Sequence, residues 1–116
     1  MAYRSSVSTK PITVVELQSF LRQATAVWSD DERAEFVDFI ARNPEAGAVI
    51  QDTGGVRKVR WTRAGSGKRG RARVIYFFHH AGAPIYLLMV YAKARQENLT
   101  AEEKKIVRKL AAILKG

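Results

Sequence analysis

The sequence predicts an α+β domain in which an antiparallel β-sheet carries an N-terminal helical hairpin and a C-terminal helix. Three observations lead there. Two segments open with capping-box spacing and continue with apolar residues at helical intervals, two near-continuous apolar runs flank a Gly/Pro turn, and a shorter alternating run precedes them behind Gly54-Gly55. At 116 residues, 47% of them hydrophobic, the chain suits one domain that buries a core without cross-links.

Residues 1–11 read as a flexible tail ending at Pro11, and the folded domain spans 12–116. Ile12 to Glu16 has two readings: Thr13 and Glu16 have capping-box spacing, yet Ile-Thr-Val-Val is β-branched. The strand is favoured, followed by a helix over Gln18 to Val27. Ser29-Asp-Asp-Glu32 caps a second helix with Phe36, Phe39 and Ile40 on its apolar stripe, stopped at Asn43-Pro44. Glu45 to Gly55 reads as a connection. In Val56 to Thr62, Lys58 and Arg60 share one strand face and Val59 and Trp61 the other. Ala64 to Arg71 has no apolar residue larger than alanine and reads as a mobile loop. Arg73 to His79 and Ile85 to Tyr91, joined through His80 to Pro84, form an antiparallel hairpin of central strands. Thr100-Ala-Glu-Glu103 opens the last helix, with Ile106, Leu110, Ile113 and Leu114 as its apolar face. The helices are expected on one side of the sheet, leaving the other free for a ligand.

The charge is unevenly distributed. The formal net charge is +9, from 20 basic and 11 acidic residues. Between Thr53 and Gln96 there is no Asp or Glu, while Arg57, Lys58, Arg60, Arg63, Lys68, Arg69, Arg71, Arg73, Lys93 and Arg95 are all basic. The rest of the chain is close to neutral, so the excess sits in one segment, as a surface built against a polyanion requires. The absence of cysteine excludes disulfides and thiolate metal sites, and His79-His80 alone does not make a metal site, so no cofactor is expected. No apolar run approaches the roughly 20 residues that span a bilayer, and a cytoplasmic location is expected.

Several residues have ordinary structural readings. Gly65 to Gly70 lacks the full phosphate-loop spacing and a following helix, so it is not a nucleotide site. His79-His80 reads as a solvated pair at a strand end, with a general-acid role as the sharper alternative. Trp61, Tyr76, Phe77 and Phe78 read as core.

The order of Gly54-Gly-Val-Arg-Lys-Val-Arg-Trp61, the loop Gly65 to Gly70, Arg73-Val-Ile-Tyr76 and Tyr91-Ala-Lys93 resembles the RelE/HigB superfamily of type II toxin–antitoxin systems, in particular its HigB-like branch. Asn43-Pro-Glu-Ala-Gly47, Val49-Ile50 and Asn98-Leu-Thr100 extend the likeness over roughly residues 12 to 115. The resemblance implies a RelE-like fold and an mRNA endonuclease that cuts translated message in the ribosomal A site without a metal, held inactive by an adjacently encoded antitoxin. It puts five residues in the catalytic set: Lys58, Arg60, Arg73, Tyr91 and Lys93. Arg73 is the expected phosphate clamp, since a guanidinium fork binds two oxygens at once. Lys58 is the candidate general base, with neighbouring cations and partial burial favouring its neutral amine. Lys93 could protonate the leaving oxygen or bind phosphate, and Tyr91 could stack on a base or orient the chain. Arg57, Arg63, Lys68, Arg69, Arg71 and Arg95 are the expected RNA-binding residues, those of the loop toward ribosomal RNA. Arg71 stands where similar members have glycine, and Ala94-Arg95 where an Asn-Glu-like pair is common. The alternative is a non-catalytic member: a gyrase-inhibiting toxin or a basic RNA- or ribosome-binding module.

Overall fold

A computed structural model describes residues 10–62 and 71–116. In chain order these residues form β1 (Val14–Glu16), α1 (Gln18–Val27), α2 (Asp30–Arg42), β2 (Ala48–Val49), β3 (Val56–Thr62), β4 (Arg71–Phe78), β5 (Ile85–Ala92) and α3 (Ala101–Lys115). The α+β class is as expected. The sheet runs β1-β5-β4-β3-β2, antiparallel throughout except that β1 pairs parallel with β5 at one edge. Residues 1–9 of the expected tail and residues 64–70 of the expected loop lie outside the described residues, whereas Arg71 already belongs to β4. The chain is anchored from Ile12 onward, whose N–H donates to the Ala41 carbonyl at 2.9 Å.

Both expected capping boxes form. The Ser29 hydroxyl accepts from Glu32 N–H while the Glu32 carboxylate accepts from Ser29 N–H, and Thr100 and Glu103 repeat the exchange at α3. Two orphan donors are satisfied at each helix start. At α1 the N-cap residue is Leu17, with no side-chain cap, and its N–H is tied instead to the Leu87 carbonyl of β5 at 3.1 Å.

Helices cover both faces of the sheet, not one. On the first, α1 and α2 enclose Phe20, Trp28, Phe36 and Ile40 against Val59, Val74, Tyr76, Leu87 and Val90, with Trp61 against Phe36 and Phe39 at centroid distances of 5.5 and 4.7 Å. On the second, α3 lays Val107 and Ala111 on Val56, Ile75, Phe77 and Leu88. The buried stripe of α3 is therefore one position round from the expected one. Val107 and Ala111 are fully buried, Leu110 and Leu114 flank them, and Ile106 and Ile113 are 50% and 72% exposed. Short side chains let the helix axis approach the sheet, an advantage that a count of large apolar residues overlooks.

Two details shape the edge and register of the sheet. Glu45 to Gly55 was expected as a plain connection, but within it Ala48 and Val49 pair with Lys58 and Arg57 as a short edge strand. Its entry is a socket for Tyr76: the buried phenol donates to the Pro44 carbonyl at 2.7 Å and accepts from Gly47 N–H at 2.8 Å. Any Cβ at position 47 would lie 2.8 Å from the Lys58 carbonyl oxygen, so only glycine allows this approach. The second detail is a β-bulge. Tyr76 pairs with Leu87 and Ile75 with Met89, leaving Leu88 as the extra residue. α1 satisfies the groups this disturbs: Ser19 Oγ donates to the Leu88 carbonyl at 2.8 Å, and Val90 N–H donates to Gln23 Oε1 at 3.0 Å. Beyond the bulge Val90 faces α1, and Tyr91 joins Leu88 on the face of α3.

Candidate functional site

The second face is divided along its length. One half lies under α3; the other, made by the ends of β3, β4 and β5, carries polar side chains. Alternation on β3 puts Lys58 and Arg60 on the same face as buried Val56, and their partners on β4 include Arg73 opposite Arg60. Arg73 in turn pairs with Tyr91 on β5. The connection from β5 to α3 crosses this half and delivers Glu97 into the middle of it.

The Glu97 carboxylate is the focus of the group. Arg73 Nε donates to its Oε2 at 2.7 Å and Arg73 Nη2 to its Oε1 at 3.0 Å, a two-pronged ion pair. Lys58 Nζ and Arg60 Nη2 each stand 3.9 Å from Oε2. The backbone beneath is fixed as well: Lys58 Nζ donates to Asn98 Oδ1 at 2.7 Å and to the Glu97 carbonyl at 3.4 Å, and the Tyr91 hydroxyl donates to the same carbonyl at 3.3 Å. Gln96 Nε2 ties the turn to Glu103 Oε1 at 3.0 Å. Exposure grades outward, from 6% for the Arg73 side chain through 20% for Lys58 and 42% for Glu97 to 72% for Arg60. An incoming anion therefore meets Arg60 first, and Arg73 is reached only past Glu97.

Electrostatics follow from this geometry. The hydrogen bonds from Arg73 hold the Glu97 carboxyl below the usual carboxylate range, against the opposing effect of desolvation and with help from the charges of Arg73, Lys58 and Arg60. Burial, reinforced by the Glu103 carboxylate, pushes the Tyr91 phenol up to about 12, so its hydroxyl keeps its proton through the neutral range.

Of the sequence-predicted catalytic residues, Lys58, Arg60, Arg73 and Tyr91 come together here. Lys93 follows on the same edge, exposed, with its N–H on the Arg71 carbonyl at 3.2 Å. The Tyr91 ring is 7% exposed, which favours orienting the chain over stacking on a base. Arg71 opens β4 beside Lys93, and Arg95 is exposed in the turn that follows. Arg57 is not brought to the group: it faces the α2 side and donates to the Gly47 carbonyl at 2.7 Å. Arg63, Lys68 and Arg69 lie outside the described residues. The exposed His79 and His80 sit past the opposite end of β4 from Arg73, roughly 20 Å of strand away. Sequence reasoning missed Glu97 and Asn98. The available signal was position: Glu97 is the first acid after the acid-free segment.

A basic strand group of this kind, on a RelE-like arrangement of elements, coincides with a family match. The model of the family described as the RelE toxin of the RelE/RelB toxin–antitoxin system matches residues 16–116. This chain belongs to the RelE toxin family. Among solved structures it is similar to an arginine-to-alanine mutant of E. coli toxin RelE in the free state, with a TM-score of 0.53 and 12% identity, covering 75% of this chain and 88% of that one. At that identity the likeness is one of fold. For the RelE-family chain described here, the match takes in every element from the end of β1 to α3, and so the whole of the cation group around Glu97.

Proposed function

We propose that this chain is the toxin of a toxin–antitoxin pair and that it cuts translated mRNA on the ribosome, taking the RNA on the basic half of its sheet. The observation that carries the reading is the convergence of Lys58, Arg60 and Arg73 on one point of a face that α3 leaves open. Three cations around one carboxylate leave a net positive field toward solvent. Membership of the RelE toxin family supports the toxin role and a protein antitoxin as partner, and the order of motifs from Asn43-Pro-Glu-Ala-Gly47 to Asn98-Leu-Thr100 supports the HigB-like branch.

RNA supplies its own nucleophile, the 2′-hydroxyl. The protein then has to hold the chain in line, stabilise charge on the pentacoordinate phosphate, and assist two proton transfers. In this reading Arg60 and Lys58 meet the phosphate oxygens, with side-chain cations rather than a metal supplying the charge. Arg71, Lys93 and Arg95 continue the contact along the backbone, and Lys93 donates a proton to the leaving 5′-oxygen. The antitoxin silences the site by covering this face, for which an acidic segment is the natural complement. The partner should co-purify with the chain when the two are expressed together.

The test is 5′-end mapping of a defined message incubated with the protein, with and without translating ribosomes, beside an Arg60→Ala variant whose exposed position spares the fold. Cuts that need translation and weaken in the variant establish the activity. A message left intact by the wild-type protein in both conditions overturns it in favour of a non-catalytic binder.

A further inference from the structure

The cleavage proposed above needs a proton acceptor as well as cations, and the described residues at the site offer one strong candidate. Lys58, Arg60, Arg73 and Lys93 are donors. Tyr91 holds its proton, and the amides of Gln96 and Asn98 are far too weakly basic. Resting on that reading of the site, we propose that Glu97 is the general base of the reaction and that Arg73 is its positioning residue rather than a phosphate ligand.

The geometry supports both halves. Arg73 is nearly inaccessible, and its Nε and Nη2 are already committed to the two carboxylate oxygens at 2.7 and 3.0 Å. Such a fork fixes the plane and direction of the carboxylate while taking one lone pair from each oxygen. Lys58 and Arg60 stand beyond hydrogen-bonding distance from the carboxylate, at 3.9 Å, so they flank it without capping it. Its side chain is 42% exposed, next to the 72% exposed Arg60. The backbone carbonyl of Glu97 is held by both Lys58 and Tyr91, so the carboxylate starts from a fixed point although it lies on a connection. A phosphate bridging Arg60 and Lys58 would place the adjoining ribose against Glu97. Lys58, whose observed partners are all acceptors, then acts as a phosphate donor and not as the base.

The step balances without a further reactant. Glu97 takes the 2′-hydroxyl proton as the 2′-oxygen bonds to phosphorus, the bond from phosphorus to the 5′-oxygen breaks, and Lys93 protonates that oxygen. The products are a 2′,3′-cyclic phosphate and a 5′-hydroxyl end, and the two side chains recover their starting protonation through water.

Single-turnover cleavage of a ribosome-bound message tests this with the full chain, its Glu97→Gln and Glu97→Asp variants, and RNA affinity and thermal melting measured alongside. Gln keeps an acceptor for Arg73 but removes the base. The expected result is a folded Glu97→Gln protein that binds RNA at least as tightly as wild type and cuts on the order of 10²- to 10⁴-fold more slowly, with Glu97→Asp intermediate. A message with sulfur in place of the scissile 5′-oxygen, whose leaving group needs no proton, should leave the Glu97→Gln defect in place. Wild-type or faster cutting by Glu97→Gln overturns the assignment and makes Glu97 a counter-ion that competes with RNA. Restoration by sulfur overturns it too, since the residue would then act as the acid. If wild-type protein cuts nothing, the nuclease reading itself falls and takes this assignment with it, a result told apart by the inactive wild type.

Discussion

Arg73 and Glu97 depend on each other for different reasons. The guanidinium is buried and needs a partner; the carboxylate is half open and needs direction. Their pairing also makes stability depend on pH. Because the Glu97 carboxyl is held below the ordinary value of 4.5, its contribution is fully present above that value and is lost as the pH falls through the lower folded-state value. The melting temperature should therefore drop as the solution is taken below 4.5, and Glu97→Gln, which cannot ionise, should flatten that drop. Equal acid slopes for the two proteins would show that the pair carries no such linkage. Nothing in the residue's type announced this role. A glutamate near a helix start is more commonly a solvated or capping residue, and Glu103, in the first turn of α3, is one that does cap.

At the scale of elements, the bulge in β5 has to be satisfied from outside its own sheet, and α1 does so through Gln23 and Ser19. Replacing Gln23 with Leu keeps the volume but strands the Val90 N–H, and should cost about 1–3 kcal/mol in chemical unfolding. Gly47→Ala should cost about 1–3 kcal/mol by the same measurement, since the added methyl meets the rigid backbone of Lys58 as well as the Tyr76 ring. Much of the element order was legible beforehand. α1 occupies the expected residues, both capping boxes formed as written, and β3 declared its two faces because charged and apolar residues alternate there. Where the pattern was uniformly apolar, in β4 and β5, periodicity had nothing to say about which side chain faces which helix. The bulge and the second helical layer were accordingly invisible. So was β2, whose two residues are stabilised by pairing to β3 and by the Tyr76 socket beside it rather than by any local preference.

Over the whole molecule, charge was the most readable property and its geometry the least. The acid-free segment pointed to a polyanion, yet alternation splits it between two faces: Arg57 supports the entry to β2 while Lys58 and Arg60 look the other way. Binding of single-stranded RNA over a salt series should show that division. Arg60→Ala should reduce the slope of log affinity against log salt by about 0.7, and Arg57→Gln should leave it unchanged. Equal effects would mean that the basic residues act as a diffuse cloud rather than a face. The single extra residue at Leu88 bears on the same division. Side chains along a strand alternate, so the two stretches of β5 are read in opposite parity, and Tyr91 reaches the polar face because one odd residue intervenes. Deleting one residue there would turn Tyr91 toward α1 and α2 and away from Arg73, whereas removing two would preserve which way it faces. Chain length between Leu87 and Tyr91 thus sets which face Tyr91 takes, kept by even changes and reversed by odd ones.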